Sequence, residues 1–514
     1  MAYSDLRDFA ETLEDKDELV RVEREVDPEL EISEITDRVS RRQPEYNKAL
    51  WFEDVVGSDY PVLINAMGSR RRMELSLEVD ELDEVADRIR EIMGYRPPET
   101  GGIRSAVGNL GEIKEGFDLL RELRRYPPKK AKARKAPCKQ VVDHEPDLDE
   151  LPVLKCWPGD GGRFITLPLV TTKDEDGRNV GVYRMQVYDS THTGMHWQMH
   201  KHGAQQYRDS DDGIEAAVAI GSDPATVYSA TAPLPFDVDE YLLAGFLRRE
   251  GVRLVDCETV DLRVPANAEI VLEGRVLPET RPEGPFGDHT GYYTPVEEFP
   301  VFEVDCVTRR ENPVYHTTIV GKPPQEDAYL GKATERIFLP LIQTQFDEVV
   351  DVDLPIDGVF HNLLLVSIDK RYPGHARKVM MGMMSLGMLS LTKAVVVVDD
   401  DVDVHDAREV VWAVTSRFDA SRDIEVIERA PLDHLEHAAP RTAYGGKVGL
   451  DATVPWPEEG FERDWPDEIE MDEDVKERVD EMWSELGIEE AVNESGQDDD
   501  GGEDDTEDDG GWLG

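Results

Sequence analysis

The chain has 514 residues, with 111 acidic and 57 basic side chains, so its formal net charge at pH 7 is −54. A surface this acidic repels nucleic acids and anionic lipids, so we expect neither as a partner. No apolar run reaches the roughly eighteen residues that a membrane span needs, and the acidic N-terminal stretch lacks the pattern of a signal peptide. We therefore expect a cytoplasmic protein without a membrane span.

The acidic excess extends over the whole chain. The tail from Ile488 onward contains twelve acids and no base, which leaves −42 on the rest of the chain. Self-repulsion of this size destabilises a compact state, and concentrated salt screens it. We expect a halophilic protein adapted to a high-salt cytoplasm. An acidic protein of an ordinary cytoplasm with a disordered tail is the alternative.

The first part of the chain has the pattern of an α/β domain, which we place at residues 1–123. LVRVEREV (Leu19–Val26) alternates as a strand does, and ELEISEITDRVSRR has apolar residues at helical spacing. PVLINAM (Pro61–Met67) predicts a second strand, and VDELDEVADRIREIM (Val79–Met93) a second amphipathic helix. Residues 124–139 are basic, contain two adjacent prolines and lack periodicity, which predicts a linker.

The pattern changes twice more along the chain. Residues 140–325 contain short strands separated by Gly, Pro and Asp, which is typical of an antiparallel barrel or sandwich, with one helix near 237–250. Residues 326–487 predict a second α/β domain with a terminal helix; its run AVVVVDDDVDV is typical of a buried parallel strand. Residues 488–514 are acid and glycine, and we expect disorder there. The predicted fold class is a multidomain α/β (α+β) protein.

The four cysteines are far apart and form no CxxC pair, so we expect reduced side chains and neither a disulfide framework nor a zinc ribbon.

The stretch GMHWQMHKHGA, with His192 just upstream, contains four of the twelve histidines. His192, His196 and His200 have the spacing i, i+4, i+8, which places zinc ligands on one face of a helix. The surrounding sequence is strand-like before and broken by glycine after, and no HExxH motif is present. A zinc site, a polar loop and a site that uses one or two of these histidines are the three alternatives.

Two further stretches contain charged side chains in apolar surroundings. TKDEDGRNVGVYRMQV places Asn179 and Arg184 on a predicted strand, and an arginine there needs an anionic partner or solvent. PEGPFGDHTGYYTP places Glu283, Asp288 and His289 among glycines and aromatic residues. We expect the apolar wall to raise the pKa values of the two acids, so that they can carry a proton at neutral pH. An ordinary loop is the alternative. The common nucleotide-binding motifs and GxSxG are absent from the sequence.

Together these segments resemble the UbiD family of decarboxylases, which use prenylated flavin mononucleotide (prenylated FMN). The matching stretches follow the family order over about residues 100–455 and are RNVGVYRMQV, TGMHWQMHKHGA, DEYLLAGFLR, VPANAEIVLEG, PEGPFGDHTGYY, YHTTIVGKPP, GHARKVMMG and KVGLDAT. The resemblance implies an N-terminal α/β domain, a central split β-barrel flavin-binding domain and a C-terminal α/β domain. It also implies a homodimer or homohexamer, and a flavin prenyltransferase as the supplier of the cofactor.

The resemblance assigns roles to individual residues. It implies a catalytic network of Arg184, Glu283 and Asp288, in which Arg184 positions the substrate carboxylate and Asp288 delivers the proton that replaces CO₂. It implies a divalent ion, Mn²⁺ or Mg²⁺, held by Asn179, His200 and Glu240, with K⁺ nearby; His202 is the alternative to His200. The implied flavin contacts are Val182, Tyr183, Arg184, His196, Trp197, Gln198, Lys201 and His202.

The implied activity is the reversible, non-oxidative decarboxylation of an aromatic or α,β-unsaturated acid, because CO₂ loss from an unsaturated carbon leaves a carbanion that needs an electron sink. A 4-hydroxybenzoate-like acid of quinone biosynthesis is the expected substrate. Anhydromevalonate phosphate of archaeal isoprenoid synthesis and a menaquinone intermediate are alternatives within the same chemistry. A zinc hydrolase that uses the histidine cluster and a non-catalytic flavin-binding scaffold are alternatives from other classes.

Overall fold

The computed structural model describes residues 2–94, 121–175, 177–197, 202–208, 210, 212–235, 238–469 and 471–486, and it describes the backbone but not the side chain of His202. The described residues up to Val454 form one compact unit, and the described residues from Pro455 onward belong to a second. Within the described ranges, no helix has both the length and the apolarity needed to cross a membrane.

The N-terminal part of the chain is the predicted α/β module. Its helices and strands are α1 (Leu6–Asp15), β1 (Leu19–Val22), α2 (Glu31–Ser40), β2 (Ala49–Phe52), β3 (Val62–Ile64), α3 (Arg70–Ser76) and α4 (Asp83–Gly94). The α1 helix begins where the Asp5 side chain accepts hydrogen bonds from two backbone amides of the first turn. Its apolar residues recur every three or four positions, so that one face is buried.

Residues 124–139 differ from the predicted linker. They contain strand β4 (Lys129–Lys130), and β5 (Val141–Asp143) follows directly. The β4 strand pairs in parallel with a strand of the central region, and Cys138 is fully buried. The Lys139 side chain is 3% exposed and forms an ion pair with Glu273, which is 0% exposed. The linker prediction was wrong for this stretch, because its basic composition reflects buried and surface ion pairs with an acidic body.

The central part of the chain contains mostly strands. They are β6 (Phe164–Ile165), β7 (Leu169–Lys173), β8 (Arg178–Val182), β9 (Met185–Gln186), β10 (His192–Gly194), β11 (Ile214–Ile220), β12 (Arg253–Asp256), β13 (Arg263–Pro265), β14 (Ile270–Glu283), β15 (Phe286–Gly287), β16 (Tyr293–Thr294), β17 (Glu297–Arg309) and β18 (Tyr315–Thr317). The helices are α5 (His202–Arg208), α6 (Pro224–Ser229) and α7 (Glu240–Leu247).

Six of these strands form one antiparallel sheet with β5. Its order is β10-β17-β14-β11-β7-β8, and β5 pairs with β17. Among the described residues the hydrogen-bonded path from β10 to β8 stays open, so the sheet is not a closed barrel there. Along β14, Ile270 and Leu272 pack in one apolar cluster while Val271 packs in another. This period of two shows that the sheet is buried on both faces.

The last strand of the central part, β18, pairs in parallel with β3. The N-terminal sheet therefore has the order β1-β2-β3-β18. The two parts share a sheet although about 250 residues separate these strands in the chain. The predicted boundary at residue 325 keeps this strand in the central domain, whereas the sheet that it joins is N-terminal.

The C-terminal part is a second α/β sandwich. Its elements are α8 (Glu326–Gln343), β19 (Val349–Asp353), β20 (Leu363–Ile368), α9 (His375–Met383), β21 (Ala394–Asp399), α10 (Ala407–Arg417), β22 (Ile424–Pro431) and β23 (Tyr444–Asp451). The sheet order is β19-β20-β21-β23-β22, with β20, β21 and β23 parallel and both edge strands antiparallel to their neighbours. The β-branched run predicted as a buried parallel strand is β21, and this prediction is confirmed.

The second unit contains helix α11 (Glu473–Met482), followed by a 3₁₀ turn at Trp483–Leu486. The predicted acidic tail lies outside the described residues. All four cysteines are free, and three of them are buried. The mixed helix-and-sheet, multidomain class predicted from the sequence is confirmed.

Candidate active site

The guanidinium group of Arg184 lies at the centre of a buried cluster of charged side chains. Its Nε donates to Oε1 of Glu283 at 2.9 Å, and its Nη1 donates to Oδ2 of Asp288 at 2.6 Å. All three side chains are at most 9% exposed. Nη2 donates to the hydroxyl of Thr294, and the guanidinium carbon lies 4.5 Å from the ring centre of Phe286. The structure therefore brings together the three residues of the predicted catalytic network.

A tight turn places the two carboxylates. Strand β14 ends at Glu283, and Gly284 then adopts φ +102, a conformation that glycine takes without steric cost. A Cβ on Gly161 would lie 2.0 Å from the carbonyl oxygen of Gly284, so the 157–162 loop packs directly against the turn. Asp160 joins the two segments, because its carboxylate accepts from the amides of Trp157 and Gly287, both at 2.8 Å.

The pKa values of the two acids are opposite to the sequence-based expectation. Burial by itself would raise the pKa of Asp288. The charges of His289 and Arg184 lower this pKa by more than burial raises it, so it lies well below its usual range. Burial also raises the pKa of Glu283, but the hydrogen bond from His196 and the charge of Arg184 leave it lowered. Both groups are ionised at neutral pH. The expectation was wrong because it considered only the apolar surroundings of the two acids and not the neighbouring cations Arg184 and His289.

His196 connects Glu283 to the predicted flavin-contact stretch. Its Nδ1 lies 3.3 Å from Oε1 of Glu283, and its ring centre lies 4.2 Å from that of Phe299, with the two ring planes tilted by 37°. Burial, together with the nearby charge of Arg184, lowers the pKa of His196, so the imidazole is neutral and its Nδ1–H donates to the carboxylate.

Three buried polar atoms at this site lack a hydrogen-bond partner among the described residues. They are Nε2 of His196, Nε1 of Trp197 and Oε2 of Glu283. A buried polar atom without a partner costs about 1–3 kcal/mol. His196 and Glu283 contact each other, so a nitrogen acceptor and a carboxylate oxygen lie close together, and the N–H donor belongs to the residue next to His196 in the chain. These groups fit a ligand with mixed donors and acceptors, as a flavin ring system has.

Two of the three predicted metal ligands lie on adjacent elements. The Val180 amide, next to Asn179 in β8, donates to Oε2 of Glu240 at the start of α7 at 3.0 Å. Burial raises the pKa of Glu240 to about 7, so a carboxylate here needs a cation in order to stay ionised. An amide oxygen and a carboxylate are ligand types that Mg²⁺ and Mn²⁺ prefer. The third predicted ligand, His200, lies outside the described residues.

The predicted flavin contacts are only partly described. Val182 ends β8, and its amide donates to the carbonyl of Ala230. The hydroxyl of Tyr183 lies 3.3 Å from Nδ2 of Asn179, and its ring meets Trp197 edge-on at 6.2 Å. Outside the described residues lie Gln198, Lys201 and the side chain of His202.

The histidine cluster does not gather in the part of the chain that the structure describes. His192 contacts Asp189 at 2.8 Å and Glu303 at 3.7 Å, whereas His196 contacts Glu283. These two histidines therefore contact different carboxylates, which gives the zinc alternative no support.

One group of possible metal ligands does occur among the described residues, far from the histidine cluster in sequence. It consists of Glu335, Asp353 and His405 in the C-terminal part. Lys332 already forms ion pairs with Glu335 and Asp353. This group is therefore an ion-pair network with its own internal cation.

Four residues of the site were not identified from the sequence. They are Asp160, which binds the turn, Gln186, whose side chain accepts from the Gly284 amide at 2.7 Å, Thr294 and His361. The PGDGG stretch around Asp160 is a signal in the sequence, since a dense glycine run with an acid is typical of a backbone-binding loop. The other three have no local signal, because their partners are distant in the chain.

Comparison with known families gives matches over most of the chain. Family models described as 3-octaprenyl-4-hydroxybenzoate carboxy-lyase (UbiD) match as an N-terminal domain at residues 10–91, a Rift-related domain at 129–323 and a C-terminal domain at 328–452. An uncharacterized protein of Archaeoglobus fulgidus is 55% identical over 493 residues, which cover 95% of this chain and 99% of the relative.

Solved structures of two enzymes are similar over most of their length. The vanillic acid decarboxylase of Sedimentibacter hydroxybenzoicus in its closed form is 28% identical with a TM-score of 0.81, covering 94% of this chain and 99% of that one. The UbiD-class enzyme HmfF of Pelotomaculum thermopropionicum in complex with FMN is 32% identical with a TM-score of 0.72, covering 90% and 97%. An evolved dimeric form of HmfF in complex with prenylated FMN has the same TM-score and coverage and is 30% identical.

Proposed function

This chain belongs to the UbiD family and is a carboxy-lyase, and from that premise we propose that it decarboxylates a 4-hydroxybenzoate-like acid of quinone biosynthesis with prenylated FMN as cofactor. The observation that carries the proposal is the buried Arg184, held between Glu283 and Asp288. A guanidinium group fixed in this way presents a planar fork that matches a substrate carboxylate. Relatives that act on vanillic acid or bind FMN support the substrate class and the cofactor.

The residues described above fit the cofactor and a metal ion. The unpartnered atoms of His196, Trp197 and Glu283 would contact the flavin. Asn179 and Glu240, with His200, would hold Mn²⁺ or Mg²⁺, with K⁺ nearby. When bound, prenylated FMN supplies the electron sink for the electron pair that CO₂ leaves behind.

The side chains of this protein bind and orient the substrate and transfer the proton. Arg184 holds the substrate carboxylate in line for cleavage of the carbon–carbon bond. A substrate carboxylate on Arg184 competes with Asp288 for the same guanidinium group, so it removes one of the charges that lower the pKa of Asp288. Asp288 then takes up a proton and passes it to the substrate carbon. Glu283 stays ionised and fixes the orientation of Arg184 through Nε.

The test is CO₂ release by protein that has been co-expressed with a flavin prenyltransferase and purified in concentrated salt. The substrates are 4-hydroxybenzoate-like acids, anhydromevalonate phosphate and the aromatic acids of menaquinone synthesis, each compared with protein made without the prenyltransferase. Cofactor-dependent release from a 4-hydroxybenzoate-like acid supports the proposal. Release only from anhydromevalonate phosphate or a menaquinone intermediate would replace the proposed substrate and keep the chemistry.

The subunit count and the metal are tested on the same preparation. We propose a homodimer or homohexamer, which light scattering at high salt measures. Metal analysis of the loaded protein distinguishes Mn²⁺ or Mg²⁺ from zinc. Stoichiometric zinc without flavin would favour the hydrolase alternative.

A further inference from the structure

A chain of hydrogen-bonding groups leads from the site into the C-terminal part of the protein. Oδ1 of Asp288 lies 2.6 Å from Nδ1 of His289. Nε2 of His289 lies 2.6 Å from Nε2 of His361, with the two ring centres 4.8 Å apart and the rings nearly perpendicular. Asp288 also contacts Arg184 through its other oxygen, so its two oxygens connect the substrate-binding cation to the imidazole pair.

The contact between the two Nε2 atoms requires exactly one shared proton. A carboxylate accepts hydrogen bonds, so Nδ1 of His289 carries a proton toward Asp288. If His289 is protonated on both nitrogens, its Nε2–H donates to a bare Nε2 of His361. If His289 is neutral, Nε2–H of His361 donates to it instead. One proton moving along the contact therefore passes the positive charge from one ring to the other, without a change in the position of the rings.

The backbone holds His361 against His289 in an unusual conformation. Val359 and Phe360 have φ angles of +57 and +34, a region that β-branched and bulky residues rarely adopt. The ring of Phe360 lies 5.4 Å from that of His289. Gly331 in α8 makes room for it, because a Cβ there would lie 3.0 Å from Phe360. Strain of this kind persists where the surroundings over-determine the conformation, as at functional sites.

We propose that His289 and His361 form a proton relay that reloads Asp288 during decarboxylation. The proposal rests on the proposed function of the site. When the carbon–carbon bond breaks and CO₂ leaves, Asp288 gives its proton to the substrate carbon. Asp288 then takes the Nδ1 proton of His289, and His289 stays protonated on Nε2, which donates to His361. The neutral His289 ring regains a proton on Nδ1 from solvent after the product leaves, and His361 stabilises the doubly protonated ring by accepting from Nε2–H. The net reaction consumes one proton for each carboxylate lost as CO₂. His289 and His361 act through Asp288 and are positioning residues.

The charges around the pair favour storage of the proton on His289. Burial lowers the pKa of His289, but the facing Asp288, with Asp327 and Asp433 further away, raises it to about 8. Burial and the charge of His289 lower the pKa of His361 to about 4, against the opposing effects of Asp433, Asp288 and Asn362. Arg184 is the remaining cation at Asp288. His289 must be protonated to reload Asp288, so turnover falls as the pH rises through about 8.

The first test needs neither cofactor nor activity. Exchange of the histidine C2 proton with deuterium in the folded protein across pH, followed by digestion and mass spectrometry of the peptides, gives the pKa of each histidine. We expect the pKa of His289 to lie above that of an ordinary imidazole, which is about 6.5. We expect the pKa of His289 to fall in His361→Phe, which keeps a ring but removes the acceptor. His144→Gln, at an exposed position, is the matched control.

The second test uses the flavin-loaded protein. In His361→Phe and His289→Asn we expect kcat to fall about 10²-fold, as for loss of a general acid–base group, with KM nearly unchanged. The fall of kcat at high pH should move to lower pH in His361→Phe. It should disappear in His289→Asn, and added imidazole should restore part of the turnover of His289→Ala. If these residues only supported the fold, their replacement would leave the dependence of kcat on pH unchanged.

The outcomes separate the relay from the proposed function. An ordinary or low pKa for His289 in the wild-type protein, or a wild-type pH profile in both variants, overturns the relay even if CO₂ is released. A raised pKa of His289 that depends on His361, in a protein that releases CO₂ from no acid, supports the proton-sharing pair and overturns the proposed function.

Discussion

The carboxylate of Asp288 accepts from Arg184 on one oxygen and from His289 on the other. Two cationic groups at 2.6 Å outweigh the cost of its burial and keep it ionised before substrate binds. The group that we propose as the proton donor is thus held in its deprotonated form. In this proposal the proton arrives after Arg184 has engaged a substrate carboxylate.

Replacement of Asp288 by Asn tests this role at the level of one atom. The amide keeps the shape of the side chain but does not carry the transferable proton, so we expect turnover to fall by about 10³-fold or more. Bound flavin, measured by its absorbance spectrum, should be retained. Asp261→Asn, at a position whose side chain is 95% exposed, is the control. Near-normal turnover by Asp288→Asn would remove Asp288 from the proton path.

His316 in β18 is a second residue whose ionisation is set by its surroundings. It is 2% exposed, and neither ring nitrogen has a hydrogen-bond partner among the described residues. Burial lowers its pKa to about 4. The neutral ring is therefore the form that the folded protein holds.

The lowered pKa of His316 predicts a loss of stability in acid. In the unfolded chain this histidine has a pKa of about 6.5. The contribution of its neutral ring to the free energy of unfolding is therefore complete above that pH and is lost as the pH falls from about 6.5 to 4. The loss amounts to about 3 kcal/mol over this window. Urea unfolding in concentrated KCl between pH 7 and pH 4.5 should show a shallower pH dependence for His316→Phe than for the wild type. Equal slopes would contradict the buried neutral ring; His144→Gln should keep the wild-type slope.

At the level of elements, the site depends on the close packing of the 157–162 loop against the turn after β14. Gly161→Ala would place a methyl group 2.0 Å from the carbonyl oxygen of Gly284, and backbone has to move to accept it. We expect a loss of about 1–3 kcal/mol in unfolding free energy and a large loss of turnover, because Glu283 and Asp288 flank the displaced turn. Chemical denaturation and CO₂ release measure the two effects. Gly446→Ala in β23, where the nearest atom is 3.7 Å away, is the control that should stay near wild type.

The stretch 124–139 is tied to the central sheet by the ion pair of Lys139 and Glu273. The same Glu273 carboxylate accepts from the amides of Glu258 and Thr259, so one buried group organises two segments. Lys139→Met would leave the carboxylate buried without its cation, and we expect a cost of about 3–5 kcal/mol. The double variant Lys139→Met, Glu273→Gln should lose less. Denaturant unfolding measures both; a wild-type midpoint for the single variant would contradict the account. Lys135→Met is the exposed control.

At the level of the whole molecule, the net charge of −54 is the dominant property. Ion pairs with Arg and Lys are numerous, but acids outnumber bases by about two to one, so about half of the acidic charge is uncompensated. The Debye length falls from about 10 Å at 0.1 M salt to about 3 Å at 1 M, so concentrated salt removes most of the repulsion.

We therefore expect the protein to lose folded structure on dialysis from molar KCl into low salt. The repulsion among the acids then acts over the whole surface and favours the expanded chain. Circular dichroism and CO₂ release, followed against KCl concentration at constant pH, measure the loss. Sucrose at matched osmolarity is the control for a non-ionic effect. Retained structure and activity in low salt would remove the halophilic interpretation.

Much of the architecture could be predicted from the sequence. The spacing of apolar residues in α2 and α4 and the run of β21 have local causes, and the structure has these elements near the predicted positions. The family resemblance predicts a catalytic network of Arg184, Glu283 and Asp288, and the structure brings these three side chains together. Spacing alone had left Arg184 with two alternatives, a buried anionic partner or solvent.

The sequence by itself determined the type and order of the elements, the mixed α/β class and the stretches that contain the site, because these depend on side chains a few positions apart. Only the tertiary structure decided that Asp288 is ionised, that His361 meets His289, that β18 completes the N-terminal sheet and that residues 124–139 join the core. Ionisation and pairing depend on which groups come within a few ångströms of one another in a medium of low polarity. Residues that are tens or hundreds of positions apart in the chain meet only once the chain has folded.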